Sequence, residues 1–584
     1  MPHVKYLELF RESSVRGRDE RAVTAQWHHR VMAIELPVEA DLAASQAERR
    51  LLRLALDLGA GSVGGPLSPE ERRLLELVTA DPAHDPDSTD TARMQIAQGA
   101  DPLGEALLGA RSGAERRSAG AFYTPPAIVG PMVKWALGRS PSRVVDAGCG
   151  SGRFACAVAR REPRLDLVAV DLDPVATLVT RANLAALGVQ QARVVHGDYT
   201  ALTLEPITGT TAFIGNPPYV RHHDLSPAMK AWAADAGRRL GHPVSSLSGL
   251  HTYFFLATAL LARSSDFGTF ITSSEWLDVG YGSAIRELLL DGLGGLSLTA
   301  LDPRSTAFKD VMTTAVIVSF EAGARPDTVR LAHVQSADEL GAAKGFPVSR
   351  QTLAAATRWS PLLASPLPDQ QSERIPARTA IRLGEIARVH RGQVTGANRF
   401  FVLTRKRAAE LGIAEWCRPA ITAAEDVLDA SGVIRDTPDR KVLLCPPRDL
   451  DREAYPALDR YLSLGEHGED RHSVPIMERY VPRHRSPWWH LGKIPAPPIV
   501  ASYMARRAPA FALNPDRLAL LNIGHGLWPR TELDDDELEE LVSYLNEHRS
   551  SFRGAGRTYH GGLEKFEPRE MEALNIPAGE RFRR

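Results

Sequence analysis

Asn216, Pro217, Pro218 and Tyr219 stand next to one another, and together they could act on a planar amine. Two adjacent prolines remove two backbone donors and fix two φ angles, so they fit poorly inside a strand or a helix. The preceding residues, TAFIG, are apolar enough for a buried strand, which places Asn216 at its carboxyl end. There the Asn216 amide oxygen and the Pro217 carbonyl could accept both hydrogens of one amino group, while Tyr219 stacks on its ring. An ordinary Asn-Pro turn is the alternative.

A glycine-rich turn provides a second candidate site, in VVDAGCGSG at 144–152. Gly148 and Gly150 allow positive φ angles and a close approach of the backbone to a ligand. In many nucleotide-binding proteins such a turn receives a pyrophosphate, but Asp146 at the end of the strand would repel phosphate. A carboxylate here suits a cationic amino-acid group, such as the ammonium of S-adenosylmethionine. A plain strand-to-helix turn is the alternative.

Further acidic residues follow the next two predicted strands. Asp171, in VAVDLDP, has the position expected for binding two ribose hydroxyls, although an NAD enzyme would place an acid there too. Asp173 could instead cap the following helix. Asp198, in VVHGDYT, could accept from the exocyclic amine of an adenine, or it could bind its own turn.

The elements around these residues predict how they are positioned. Short β-branched runs alternate with helical segments from RVVDAGC to GTFITSS, which predicts a parallel sheet covered by helices on both faces. TTAVIVSFEA predicts a late strand of the same sheet. Because ligand crevices of such sheets form at the carboxyl ends of the strands, we expect the four candidate sites to share one edge.

The length of 584 residues predicts several domains. Residues 1–113 are predicted to be helical, with one helix starting at Ser68 and Pro69. Residues 114–345 would form the α/β domain, 346–378 a linker with Pro and Ser, and 379–584 a second domain rich in Arg, Pro and aromatics.

The composition excludes several classes of protein. With 43% hydrophobic and 24% charged residues, the chain is expected to be soluble and globular. The segment MPHVKYLELFRESS lacks the apolar core of a signal peptide, and no apolar run is long enough to span a bilayer, so neither a leader nor a membrane span is expected. The four cysteines form neither a CxxC pair nor a metal-ligand cluster, so we expect reduced thiols, no metal and a cytoplasmic location.

NPPY at 216–219 beside DAGCGSG resembles the amino-methylating DNA methyltransferases, in particular the γ-class N6-adenine enzymes of the TaqI type. GAFYTPPAIVGPMV is similar to the family segment that flanks the methionine part of the cofactor. AFKDVMTTAVIVSF is similar to the late motif whose aromatic packs against the extruded base. IARVHRGQVTGANRFFVL and GRTYHGGLEKFEPREMEALNIP resemble the beginning and end of the family's target-recognition domain. The N-terminal helical region exceeds the minimal family pattern and receives no role from it.

The resemblance implies a Rossmann-like class I SAM-dependent methyltransferase domain, preceded by the helical region and followed by a mixed α/β target-recognition domain. It implies a site-specific adenine-N6 methyltransferase that acts on a base flipped out of duplex DNA, in a restriction-modification or phage-defence system. The implied catalytic residues are Asn216, Pro217, Pro218 and Tyr219. The base would be held by Tyr219 and Phe308. The implied cofactor contacts are Tyr123, Thr124, Asp146, Gly148, Gly150, Asp171, Asp198 and Tyr199.

Recognition of a duplex requires basic groups outside the catalytic sheet. RHSVPIMERYVPRHRSPWWHLGK, at 471–493, gathers basic residues around Tyr480, Trp488 and Trp489, which indicates a phosphate-contacting surface. A solvated Arg face beside packed tryptophans is the alternative. The candidate DNA contacts are Arg391, Arg479, Arg483, Arg485, Arg506 and Arg507. We expect a monomer on double-stranded DNA, with a cognate restriction endonuclease or another defence protein as candidate partner.

Other functions stay open at this point. NPPY-type sites also occur in enzymes that methylate RNA bases or a protein glutamine amide. Cytosine-N4 enzymes are chemically close, but they more often carry Ser at the position of Asn216. A non-enzymatic DNA-specificity subunit would not need an intact NPPY sequence. His222 and His223 fit a solvated or phosphate-facing pair better than a general base.

Overall fold

The structure is a computed structural model of the chain. It describes residues 45–81, 86–111, 123–189, 191–302, 314–363, 380–467, 474–505, 507–552, 555–559 and 563–577. The chain divides into two compact units near residue 365. Within the described residues, no helix combines the length and the apolar character that crossing a membrane requires.

Within the described residues, four helices precede the α/β part of the first unit, and local sequence signals explain where two of them begin. Ser45 and Ser68 each begin a helix with a capping box, in which the serine pairs with a glutamate three residues later. The helix start predicted at Ser68 and Pro69 is therefore confirmed. The helices are α1 (Gln46–Leu58), α2 (Pro69–Thr79), α3 (Pro86–Ala97) and α4 (Pro102–Ala110).

The α/β part of the first unit is built on one nine-stranded sheet. Its strands are β1 (Arg143–Ala147), β2 (Asp166–Asp171), β3 (Ala192–His196), β4 (Thr211–Gly215), β5 (Phe267–Ser273), β6 (Gly295–Leu301), β7 (Ala315–Glu321), β8 (Thr328–Val334) and β9 (Phe346–Ser349). Its helices are α5 (Pro126–Leu137), α6 (Arg153–Ala159), α7 (Pro174–Ala186), α8 (Pro227–Leu240), α9 (Leu250–Leu261), α10 (Ser283–Leu290), α11 (Arg350–Ala355) and α12 (Ser360–Leu363). The spatial order is β3-β2-β1-β4-β5-β7-β6-β8-β9.

Each face of the sheet has its own hydrophobic core, because successive side chains of a strand point to opposite faces. Val145 and Phe213 belong to the core that includes α8, α9 and α10. Val144 and Ala212 belong to the core that includes α5 and α6. The prediction of an α/β sheet with helices on both faces is therefore confirmed.

The parallel arrangement predicted for the strands from RVVDAGC to GTFITSS is confirmed, whereas the later strands make the sheet mixed. Strands β1 to β5 run parallel, but β7 is antiparallel to both β5 and β6, and β9 is antiparallel to β8. An antiparallel pair of strands needs no crossover helix between them, unlike a parallel pair. The periodicity of a strand predicts which side chains are buried, whereas it carries no signal for strand direction.

The predicted linker at 346–378 also requires a correction. Its first part contains β9, α11 and α12, and Leu353, Trp359 and Leu363 are buried in the core of the first unit. The Pro- and Ser-bearing stretch that indicated a linker, SPLLASPLPDQQSERIPAR, begins at Ser360 inside α12, and residues 364–379 lie outside the described residues.

The second unit is a mixed α/β assembly with short strands. Its strands are β10 (Ala380–Arg382), β11 (Ala387–Arg391), β12 (Val402–Leu403), β13 (Cys417–Ile421), β14 (Val442–Leu444), β15 (Ile499–Ser502), β16 (Met504–Ala505), β17 (Phe511–Leu513), β18 (Ala519–Leu520), β19 (Gly524–Pro529), β20 (Arg557–Tyr559), β21 (Leu563–Lys565) and β22 (Asn575–Pro577). Its helices are α13 (Leu383–Ile386), α14 (Asn398–Phe401), α15 (Arg405–Glu410), α16 (Glu425–Leu428), α17 (Pro456–His467), α18 (Asp535–Glu547) and α19 (Pro568–Glu572). Trp488 packs on Phe400 and Phe401 in one of its cores, so this tryptophan is a packing residue.

Candidate cofactor and catalytic site

The four predicted sites lie at one edge of the sheet. Strands β3, β2, β1 and β4 are parallel neighbours, so their carboxyl ends point the same way. Asp146 lies in β1, Asp171 ends β2, Asp198 follows β3 and Asn216 follows β4. The fold therefore places the four candidate sites at one edge of the sheet, as expected.

The turn after β1 has the backbone that its glycines predict. Gly148 and Gly150 adopt φ angles of 71° and 55°. A Cβ atom on Gly150 would lie 2.8 Å from Cε1 of Tyr123, so this ring lies directly on the turn. The Gly150 amide donates to Oδ2 of Asp171 at 2.8 Å, and its carbonyl accepts from Oγ1 of Thr180 at 2.8 Å. The turn is therefore held from both sides.

Asp146 is a buried carboxylate whose environment suits a cationic ligand. Its side chain is fully buried, and Oδ2 accepts from the Ala155 amide at 2.9 Å. Among the residues that the structure describes, no group donates a hydrogen bond to Oδ1. Burial raises the pKa of Asp146 to about 7; the Ala155 amide opposes this rise and Asp171 adds to it. A buried acceptor with spare capacity fits the ammonium of S-adenosylmethionine, so the residues present suit this cofactor.

Asp171 and Asp173 have separate roles at the end of β2. Asp171 accepts from the amides of Gly150 and Asp173, and burial raises its pKa to about 6. Asp173 caps α7 by accepting from the Val175 amide at 2.9 Å, and its other oxygen pairs with Arg111. The alternative role given to Asp173 is confirmed, while ribose binding by Asp171 stays a prediction.

Asp198 and Tyr199 follow β3, and both side chains make contacts with neighbouring residues. Oδ1 of Asp198 accepts from the amide and from the hydroxyl of Thr200, both at 2.8 Å, so it does bind its own turn. Tyr199 is buried; its hydroxyl lies 2.8 Å from that of Thr258 and its ring stacks on Phe254 at 4.9 Å. The cofactor contacts of both residues stay predictions.

The Asn216–Tyr219 segment adjoins the glycine-rich turn. A Cβ atom on Gly148 would lie 3.8 Å from Cδ of Pro218 and 3.5 Å from Cε1 of Phe254. At the other end of the segment, the Val220 carbonyl accepts from the Leu250 amide at the start of α9, at 3.0 Å. Burial raises the pKa of Tyr219, so its hydroxyl stays neutral. The two sequence motifs therefore form one continuous site.

The motif analysis missed two residues of α9 that adjoin this segment. Phe254 lies between the glycine-rich turn and Tyr199. His251 is buried beside Gly249, and burial lowers the pKa of His251 to about 4, which leaves its imidazole neutral. Both belong to an apolar helical run, GLHTYFFLATALL, in which nothing marks the residues that face the site.

Several predicted DNA contacts are engaged within the second unit. Arg391 pairs with Glu567, and Arg507 pairs with Asp429 at 2.9 Å. Arg485 donates to the Thr395 carbonyl at 3.0 Å and to that of Val394. Phe308 and Arg506 lie outside the described residues.

Arg391 and Arg507 stay exposed although each pairs with a carboxylate, and a second exposed group lies in the segment at 474–493. Arg479 and Arg483 are exposed, and the Arg483 guanidinium lies over the ring of Tyr480 at 5.2 Å. Tyr480 is 68% exposed, which is unusual for a large aromatic side chain. Arg485 joins this segment to the RGQVTGANRF loop through its bonds to Val394 and Thr395, so the two predicted recognition stretches are neighbours.

The strand order, with antiparallel β7 between β5 and β6, and the glycine-rich turn beside Asp146 define an S-adenosylmethionine-dependent methyltransferase. Three family models match parts of the chain. They are "Methyltransferase small domain" at 135–242, "Eco57I restriction-modification methylase" at 208–293 and "Type II methyltransferase M.Eco57I, C-terminal domain" at 356–583.

Similarity to individual proteins extends over most of the chain. The type II methyltransferase M.XamI of Xanthomonas campestris pv. amaranthicola is 41% identical over 91% of this chain and 98% of its own length. M.AccI of Acinetobacter calcoaceticus is 23% identical over 78% of this chain and 85% of its own. The solved structure of the type IIL restriction-modification enzyme MmeI in complex with DNA shares the fold, with a TM-score of 0.50 and 12% identity over 88% of this chain and 77% of that one.

The chain belongs to the type II methyltransferases of restriction-modification systems. It is a DNA methyltransferase that uses S-adenosylmethionine.

Proposed function

We propose that the chain methylates the N6 amine of one adenine within a specific sequence of double-stranded DNA. The observation that carries this proposal is the position of the Asn216–Tyr219 segment, which follows β4 and adjoins the glycine-rich turn through Pro218. An amide oxygen and a carbonyl oxygen at this edge suit an exocyclic amine on a planar ring. The resemblance to γ-class adenine enzymes supports the same choice of base.

Catalysis would depend on position and electrostatics. An exocyclic adenine amine is a weak nucleophile because its lone pair is delocalised into the ring. By accepting both hydrogens, Asn216 Oδ1 and the Pro217 carbonyl would favour a pyramidal nitrogen and localise that lone pair. Bound S-adenosylmethionine supplies a methyl group that is already activated by the sulfonium. Asp146 and the glycine-rich turn would hold the amino-acid part of the cofactor.

No strong general base is required by this scheme. His222 and His223 lie in a short turn after the NPPY segment. His223 is exposed, and its Nε2 lies 3.4 Å from Oδ2 of Asp224. His251 is buried, and burial lowers its pKa, so it is a weak proton acceptor at neutral pH. The proton released by the amine would leave to solvent after methyl transfer.

The target base would be rotated out of the duplex before it reaches the edge of the sheet. Tyr219, whose hydroxyl stays neutral, would then stack on the base, with Phe308 as the second aromatic contact. Tyr199 and Phe254 would complete the packing on the cofactor side.

We further propose that Arg479, Arg483 and Tyr480 contact the duplex, whereas Arg485 supports the loop behind them. An exposed guanidinium on an exposed ring presents both a phosphate contact and a stacking surface. We also propose that the chain acts in the cytoplasm as a monomer on duplex DNA, beside a cognate endonuclease; membership of the restriction-modification methyltransferases supports the DNA substrate and the endonuclease partner.

Long-read sequencing of DNA from a host that lacks adenine methylation, and that expresses this chain, tests the proposal. We expect N6-methyladenine in one shared sequence context, and no signal from the Asn216→Ala variant. Methylated cytosine in place of adenine would contradict the choice of base. Transfer of methyl groups to RNA or protein, with unmodified DNA, would contradict DNA as the substrate.

A further inference from the structure

Asp101, in the N-terminal helical region, reaches the segment that follows the glycine-rich turn. It is the N-cap of α4, where it accepts from the Gly104 amide at 2.9 Å. The same carboxylate accepts from the Ser151 hydroxyl at 2.6 Å and from Nε of Arg153 at 2.7 Å. It also lies 3.3 Å from Nδ2 of Asn183. One side chain therefore joins α4 to the turn and to α7.

Arg153 extends this connection to the segment that precedes the sheet. Its Nη1 donates to the Thr124 carbonyl at 3.1 Å, and its guanidinium lies over the Tyr123 ring at 5.2 Å. The Tyr123 ring in turn packs on Gly150, at which a Cβ atom would come within 2.8 Å. Asp101 thus fixes the arginine that places Tyr123 and Thr124 against the turn.

The loop after β2 is attached to the same helices at two further points. Arg111, which follows α4, pairs with Asp173. The Ser68 hydroxyl lies 2.9 Å from Nδ1 of His196, and Nε2 of that ring lies 3.0 Å from the Leu172 carbonyl. Both contacts flank Asp171, the predicted ribose ligand.

A buried ion pair anchors the helices to the α/β part. Arg181 of α7 bonds to both carboxylate oxygens of Glu71, at 2.8 and 3.2 Å, and neither side chain is accessible to solvent. The same guanidinium donates to the carbonyls of Val63, Gly65, Pro66 and Val194. Separating two such charges from each other would leave each without its counter-charge in a low-dielectric interior, so the helices form a fixed part of this unit.

We propose that the N-terminal helices are a positioning element of the cofactor site, with Asp101 as the residue that sets the glycine-rich turn. Asp101 itself does not contact the cofactor. Its effect passes through Ser151 and Arg153 to the backbone at Gly150 and to Tyr123. Because a small misplacement of binding groups is costly, loss of this carboxylate weakens binding of S-adenosylmethionine by about tenfold. The inference concerns the cofactor alone and is independent of the base that is methylated.

Asp101→Asn in the full chain is the test variant. Asparagine is as good an N-cap as aspartate, so α4 keeps its start. The amide has only one acceptor oxygen, however, and cannot serve Gly104, Ser151 and Arg153 together. Asp81→Asn is the matched control, because it removes the 2.7 Å ion pair between Arg49 and Asp81 in the same helical region, away from the turn.

Isothermal titration calorimetry with S-adenosylmethionine measures the dissociation constant, and thermal melting without ligand measures stability. We expect a Kd about tenfold higher for Asp101→Asn and an unchanged Kd for Asp81→Asn. Equal Kd values for the wild type and a folded Asp101→Asn would overturn the proposal, as would equal losses in both variants. If Asp101→Asn does not fold, Ser151→Ala removes one bond of the same set. A raised Kd in this variant supports the proposal, and an unchanged one overturns it.

Discussion

The affinity for S-adenosylmethionine should depend on pH through Asp146. In the free protein, burial raises the pKa of this carboxyl to about 7. The cationic ammonium binds the ionised form, so binding below this pH must first remove a proton. Affinity should therefore rise with pH to about pH 7.5 and fall above about pH 8, where the ligand's own α-amino group loses its charge.

The size of the effect follows from the pKa of about 7. At about pH 6 roughly one molecule in eleven carries an ionised Asp146, and at about pH 7.5 roughly three in four do, by the titration of a single acid. The dissociation constant should thus fall by roughly eightfold across this range. The ligand's α-amino group keeps most of its charge there, because its pKa is near 7.8 as for other α-amines.

Calorimetry at both pH values, repeated in buffers of different ionisation enthalpy, measures the affinity and the protons released. Asp146→Asn should bind weakly at both pH values without releasing a proton. Asp166→Asn, an exposed change at the other end of β2, should keep the wild-type profile. A flat profile in the wild type, or an equal pH dependence in Asp146→Asn, would refute the assigned role of this carboxylate.

Two further predictions concern the turn and the DNA surface. Gly150→Ala should weaken cofactor binding by tenfold or more, because ~1–2 kcal/mol of backbone strain adds to a clash with Tyr123; calorimetry measures the Kd. In Gly188→Ala the same kind of strain arises where the Cβ atom meets no neighbour, so this control should lower only the melting temperature. Arg483→Ala should weaken binding to all DNA sequences and reduce the slope of log affinity against log salt by about 0.9. Arg485→Ala should instead impair the preference for one DNA sequence. Fluorescence anisotropy at several salt concentrations distinguishes the two variants. A normal Kd in Gly150→Ala, or equal salt slopes for Arg483→Ala and the wild type, would contradict these assignments.

The sequence predicted the parts of the fold that depend on local chemistry. The short apolar runs in RVVDA and TAFIG located buried strands, and the glycines between Asp146 and Arg153 located a turn with positive φ. The cap predicted at Ser68 follows from the same kind of signal, and the structure adds a second capping box at Ser45. Each of these features is determined by residues within a few positions of one another.

The features that the sequence did not predict are long-range contacts of polar side chains. Asp101 accepts a hydrogen bond from Ser151, which is 50 positions away in the sequence. Arg485 donates to backbone carbonyls about 90 positions away. A charged residue in a sequence carries no mark of whether it faces solvent, a phosphate or a backbone carbonyl. Composition alone therefore placed Arg485 among the DNA contacts and left the N-terminal helices without a role.

The most direct test of the central claim compares cofactor binding with methyl transfer in one preparation of Asn216→Ala. Because Asn216 is assigned to the target amine, we predict a Kd for S-adenosylmethionine within about twofold of the wild type and a loss of transfer to DNA of about a hundredfold or more. Tritium incorporation from labelled cofactor measures the transfer. Wild-type transfer by this variant, or a proportionate loss of binding and transfer, would contradict the account.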